Sequence, residues 1–111
     1  MIKVEFTRNK DAFSSVLLTG HAEYAEYGSD IVCAAVSSQV ISVENSLQSL
    51  LKVKVNTKVN ESEGGYLKVT LPSLEDPVQQ AQAQLLMQHL HLALSIIAEQ
   101  YPDFVSVKDL S

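Results

Sequence analysis

Apolar and polar residues alternate at the start of the chain. Ile2, Val4 and Phe6 interleave with Lys3, Glu5 and Thr7, the period-two pattern of a half-buried strand. The polar run Arg8-Asn9-Lys10-Asp11 ends it, with a turn over residues 9–11, and the β-prone run FSSVLLT at 13–19 supplies a hairpin partner that stops at Gly20. From Ser29 or Asp30 the period changes. Val32, Val36, Val40, Val43, Leu47, Leu50 and Leu51 recur at helical spacing, which predicts a helix of about six turns ending near Lys52. Alternation then returns: Val53, Val55, Thr57 and Val59 interleave with Lys52, Lys54, Asn56 and Lys58. YLKVTL at residues 66–71 repeats the strand signal after Glu63-Gly64-Gly65, so a second hairpin with a Gly-Gly turn is expected. Asp76 as N-cap and Pro77 at the first helical position open a second helix, Tyr101-Pro102 closes it, and residues 104–107 form a candidate last strand.

The order ββαββα predicts an α+β two-layer domain. In it, a small, mostly antiparallel sheet of about four to five strands is covered by two long helices on one or both faces. Residues 1–111 read as a single domain, with no linker, internal repeat or low-complexity run. On the second helix Leu85, Leu86, Met87, Leu90, Leu92, Leu94, Ile96 and Ile97 spread well beyond one stripe. The sheet shields one face and a second copy of the chain can shield another, so a homodimer is expected.

Charge narrows the partners. Thirteen acidic residues against eight basic ones give a formal net charge of -5, and the acids are scattered. That balance argues against phosphate-driven binding, and no direct nucleic-acid contact is expected. Lys52, Lys54 and Lys58 can share one strand face, either simply solvated or touching RNA or an acidic peptide. A single cysteine forms no internal disulfide, the start MIKVEFTRNK lacks the apolar core of a signal peptide, and no stretch approaches the roughly 18 apolar residues of a membrane span. A cytoplasmic protein with no membrane partner is expected. His89 and His91 are two apart on a helix and point in different directions, so no metal site is expected there and no cofactor is implied.

The chemistry concentrates in GHAEYAEYGSDIVCAAVS, residues 20–37. With Asp30 as N-cap, Cys33 becomes the third helical residue. In that first turn the unpaired N–H groups and the positive end of the helix dipole favour a thiolate and can supply part of an oxyanion hole. A cysteine nucleophile needs a base, and His21 lies twelve positions upstream, at the end of the second β-run. Against this, free cysteine is among the most buried residue types, and its neighbours in IVCAAV are small and apolar. The pattern alone admits both a nucleophile and a core filler.

The same block resembles the signature of the bacterial ribosomal-processing cysteine proteases called Prp. The likeness covers Gly20-His21-Ala22, the tyrosine-containing loop with Gly28, and Asp30-Ile31-Val32-Cys33-Ala34-Ala35-Val36-Ser37. It extends more loosely to Gly64-Gly65-Tyr66 and to AEQYPDFV at the end of the second helix. It implies a cysteine endopeptidase that removes the N-terminal extension of a large-subunit ribosomal protein, a step that ribosome assembly needs. Carried onto this chain, the nucleophile is Cys33 and the general base His21, acting through a thioester. The resemblance also implies a dimer and a mobile loop between the two residues. Gly20, Gly28, Asp30 and Ser37 belong to the motif. Asp30 either caps the helix or orients the imidazole. Ser37, one turn after Cys33, either bonds a backbone carbonyl or is small enough to admit substrate. Tyr24 and Tyr27 either close over a bound peptide or pack on the protein's own surface. The competing reading is a non-catalytic, ribosome-associated adaptor whose sheet edge binds a peptide while Cys33 is merely packed.

Overall fold

The N-terminal alternation is realised as β1 (Ile2–Asn9), which buries Ile2, Val4 and Phe6 and pairs antiparallel with β2 (Ala12–Thr19). The computed structural model describes residues 1–20, 29–60 and 65–111. Lys10 and Asp11 connect the two strands with φ of 52° and 67°, the paired left-handed conformation that a two-residue hairpin turn demands to match the strands' twist. Between Thr7 and Arg8 the register slips: Thr7 faces Ser15 while Arg8 faces Phe13, so Ser14 is an extra residue whose hydroxyl donates to the Thr7 carbonyl at 3.1 Å. This bulge reverses the strand's parity and turns Phe13 to the same side as Val16 and Leu18.

The remaining elements follow as α1 (Ser29–Ser49), β3 (Asn56–Asn60), β4 (Tyr66–Thr70), α2 (Pro77–Gln100) and β5 (Val105–Leu110). The five strands form one sheet in the order β3-β4-β2-β1-β5, antiparallel throughout except for the parallel pair of β1 and β5. Both helices lie on one face. Val4, Phe6, Val16, Val69 and Val105 from the sheet join Val36, Val40 and Leu47 from α1 and Met87, Leu90 and Leu94 from α2 in a single buried cluster. The opposite face, with Lys3, Glu5 and Thr7 of β1, carries no helix. The two-layer α+β domain, the mostly antiparallel sheet and the C-terminal strand match the sequence expectation, with coverage on one face.

Three boundaries differ. Helix α1 stops at Ser49, and Leu50, expected on its buried stripe, is 73% exposed. Lys52 takes a left-handed φ of 57°, and the Val53 N–H donates to the Leu47 carbonyl at 2.9 Å, folding the chain back so that Val53 enters the core. Strand β3 therefore begins at Asn56, and Lys52 and Lys54 precede it instead of sharing a strand face with Lys58. At the other end β5 runs to Leu110, longer than expected, because pairing with β1 continues as far as Thr7.

Helix α2 obeys its local code: the Asp76 carboxylate accepts from the Val78 N–H at 2.9 Å, and the Tyr101 N–H closes on the Ile97 carbonyl. Gln84 ties the helix to the bulge, its side-chain amide accepting from the Phe13 N–H and donating to the Phe13 carbonyl, both at 2.8 Å. Among the described residues no helix is long and apolar enough to cross a membrane.

Candidate active site

Helix α1 carries two adjacent stripes. Val32, Val36, Val40, Val43 and Leu47 face the core. One step around the helix, Cys33, Ser37, Ile41 and Glu44, spaced four, four and three residues apart, line a cleft of about 710 Å³. Leu18 and Gly20 at the end of β2 and Thr57, Val59, Gly65, Tyr66 and Leu67 of the β3–β4 hairpin form its other side. Cys33 is half-buried at the edge of the core and opens on this cleft, so it is not sealed among aliphatic side chains.

The helix opens at Ser29, two residues earlier than a cap at Asp30 requires, because small polar residues are well suited to a first turn. Asp30 is thus the second helical residue and Cys33 the fifth, not the third. The Cys33 N–H consequently lies inside the helical hydrogen-bond ladder, and the unpaired donors of the first turn sit one turn earlier. His21, Tyr24, Tyr27, Gly28 and the Asp30 side chain lie outside the described residues, as do Glu63 and Gly64 of the expected Gly-Gly turn. Gly20, immediately before His21, is described. Its φ is +72°, its N–H donates to the Gly65 carbonyl at 3.2 Å, and it shares the cleft with Cys33. Ser37 stands one turn from Cys33 on the same wall, as its spacing predicts. The Thr57 hydroxyl donates to the Glu44 carboxylate, joining α1 to β3 across the cleft.

The other titratable cluster is structural in character. His91 packs edge-on against Phe6 at 4.8 Å between ring centroids, and its Nε2 lies 2.8 Å from Asp109, which also faces Arg8 at 3.4 Å. His89 is exposed. Among the described residues no group of three or more His, Cys, Asp or Glu side chains could hold a metal ion.

A lone cysteine open to a cleft, with the strand end before a histidine on the same cleft, invites comparison with known proteins. The family model described as cysteine protease Prp matches residues 1–106. The chain belongs to the cysteine protease Prp family. It is therefore a cysteine protease, as the motif around Cys33 implied. The ribosomal processing cysteine protease Prp of Bacillus subtilis is 33% identical over 108 residues, covering 96% of each chain, and that of Staphylococcus aureus 29% identical over 102 residues, covering 91% of this chain and 92% of its own. In structure, the chain superposes on a protein of Streptococcus mutans with a TM-score of 0.88 at 40% identity, covering 99% of this chain and 94% of the other. The essential Prp of Staphylococcus aureus, crystallised with a substrate peptide, gives a TM-score of 0.83 at 26% identity, covering 98% and 99%. A second crystal structure of the Staphylococcus aureus Prp holds a covalently linked product peptide.

Within this Prp domain, sequence reasoning missed the walls of the cleft beyond Ser37: Ile41, Glu44, Thr57, Val59 and Leu67. A signal existed for one of them. Ile41 lies off the phase of the core stripe and is 45% exposed, an apolar residue that the helix has no internal reason to present.

Proposed function

We propose that this protease removes the N-terminal extension of a large-subunit ribosomal protein in the cytoplasm, a compartment that suits its single unpaired cysteine, and that Cys33 and His21 form its catalytic dyad. The observation that carries the reading is the shared cleft. Cys33 opens on it from α1, and Gly20, the residue before His21 in the sequence, lines it from the end of β2. The names of the relatives, ribosomal processing proteases, supply the substrate class.

In this mechanism the His21 imidazole takes the Cys33 proton and the sulfur attacks the scissile carbonyl. The imidazolium then protonates the departing amine, leaving a thioester between Cys33 and the N-terminal fragment. A water deprotonated by His21 attacks the thioester, the sulfur leaves as thiolate, and the proton returns to it. The partly apolar walls at Leu18, Ile41, Val59 and Leu67 suit the apolar side chains of a peptide lying along α1.

A homodimer is part of the proposal. Val78, Leu85, Leu92 and Ile96 of α2 are 63%, 65%, 60% and 45% exposed, and the first three are spaced seven residues apart, so they form one apolar stripe along the helix. A second copy covering that stripe removes it from water.

The test uses the purified chain and a peptide copying the ribosomal extension, with the products weighed by mass spectrometry. Wild type is expected to yield two fragments; C33A and H21A are expected to remain folded and yield none. Iodoacetamide is expected to alkylate native Cys33 rapidly near neutral pH. Full-rate cleavage by C33A would overturn the dyad, and peptide binding without cleavage by wild type would favour the adaptor reading.

A further inference from the structure

The face of the sheet that the helices leave uncovered holds half of the chain's basic residues. Strand register sets Lys58, Lys68, Leu17, Glu5 and Lys108 in one row across β3, β4, β2, β1 and β5. The neighbouring row is Asn60, Tyr66, Thr19, Lys3 and Ser106, and the third, Asn56, Thr70, Ser15, Thr7 and Leu110, is uncharged. Among the described residues, four of the eight Lys and Arg thus share this face with one carboxylate, Glu5, a net of +3 on a chain whose total is -5. The whole-chain sum conceals that segregation.

A further feature points to an anion. Lys58 and Lys68 are direct cross-strand partners, an arrangement that destabilises a sheet unless something neutralises it. Glu5 does not: it is paired with Lys108 and Leu17, two strands, about 10 Å, from Lys68. Lys3, Lys58 and Lys108 are exposed and Lys68 half-buried, and the charged row runs about 19 Å across four strand spacings. Tyr66, at the corner where this face meets the cleft, adds an aromatic ring.

We propose that this face binds the phosphate backbone of single-stranded RNA. Lysines spread over two neighbouring rows of an uncovered sheet face suit a polymer with one charge per nucleotide, and Tyr66 offers a surface on which a base can stack. A lipid surface is disfavoured because, among the described residues, the face presents only Leu17 and Leu110 as large aliphatic side chains, both half-buried. RNA held there places the cleft, which adjoins the face at Tyr66, beside proteins bound to the same RNA.

The test is fluorescence anisotropy with a labelled 12-nucleotide single-stranded RNA of mixed sequence. Binding is expected at 50 mM salt. With four lysine–phosphate contacts, the slope of log affinity against log salt is expected near roughly -3, about a fiftyfold loss between 50 and 200 mM. K58Q/K68Q is expected to lose about tenfold in affinity, while K10Q/K54Q, which removes the same charge from outside the face, stays within about twofold. K58E sets opposite charges face to face and is expected to raise Tm by roughly two degrees while weakening RNA binding, a combination that loss of structure cannot produce. Four outcomes would overturn the proposal: no binding at 50 mM salt, full binding by K58Q/K68Q, equal loss in K10Q/K54Q, or tighter binding to polyglutamate or phosphatidylserine vesicles than to RNA.

Discussion

The backbone of Gly20 passes so close to the carbonyl of Met1 that a Cβ built on it would stand 2.5 Å from that oxygen. Its φ of +72° adds a second barrier to any side chain. The clashing atom is backbone, so a methyl group is accommodated only by moving β2's end away from β1, and His21 is the next residue. G20A is expected to lose about 2 kcal/mol of stability, part of it the cost of an L-residue in left-handed conformation. Cleavage is expected to fall tenfold or more even under conditions where urea unfolding shows the variant fully folded. An active G20A would mean that the strand end does not position His21.

The Thr57–Glu44 hydrogen bond ties the two sides of the cleft together, linking α1 to the edge strand β3. T57V keeps the shape of the side chain and removes the donor. It is expected to cost about 1 kcal/mol in stability. Because it frees the hairpin wall and leaves Cys33 untouched, it is expected to raise KM several-fold with kcat nearly constant. A fall in kcat at constant KM would place Glu44 closer to the chemistry than to the walls.

How legible the fold was depended on whether a signal is local. The αβ order, the Asp76 cap and the Pro77 start are written in neighbouring residues, and the structure reproduces them. Cys33 and the loop before it stood out through their residue types, and the same residues carried the family resemblance. The bulge at Ser14 was not legible, because strand parity read along one chain cannot show that its partner strand lacks a residue. Phe13 sits out of phase with Val16 for that reason. The early end of α1 was missed because Leu50 and Leu51 continue the apolar period past the point where Lys52 turns left-handed. The hairpin half of the cleft is assembled by β4 pairing with β2, a contact across more than forty residues that no local pattern announces.

The bulge has its own energetic consequence. Phe13 is buried, and Gln84 satisfies both of its backbone groups with bonds of 2.8 Å. Replacing the amide by an apolar side chain of similar length leaves a donor and an acceptor without a protein partner in a partly buried position. Q84L is therefore expected to lose about 2–3 kcal/mol, and Q84E less, since a carboxylate still accepts from the Phe13 N–H. Chemical denaturation with an unchanged m-value checks this, and a Q84L as stable as wild type would show that water replaces the amide without cost.

The apolar stripe on α2 gives the last expectation. Burying an exposed leucine in a partner is worth roughly 1.5–3 kcal/mol, so two leucines account for several orders of magnitude in a dimer's dissociation constant. L85E/L92E places two carboxylates on that stripe, while Met87, Leu90 and Leu94, which hold α2 to the sheet, remain in place. Sedimentation velocity at micromolar concentration is expected to show wild type as a dimer and L85E/L92E as a folded monomer. Wild-type Tm should rise with concentration and the variant's should not, because only an associating species couples stability to mass action. A wild type that sediments as a monomer and melts at one temperature across a hundredfold range of concentration would remove the second copy from α2.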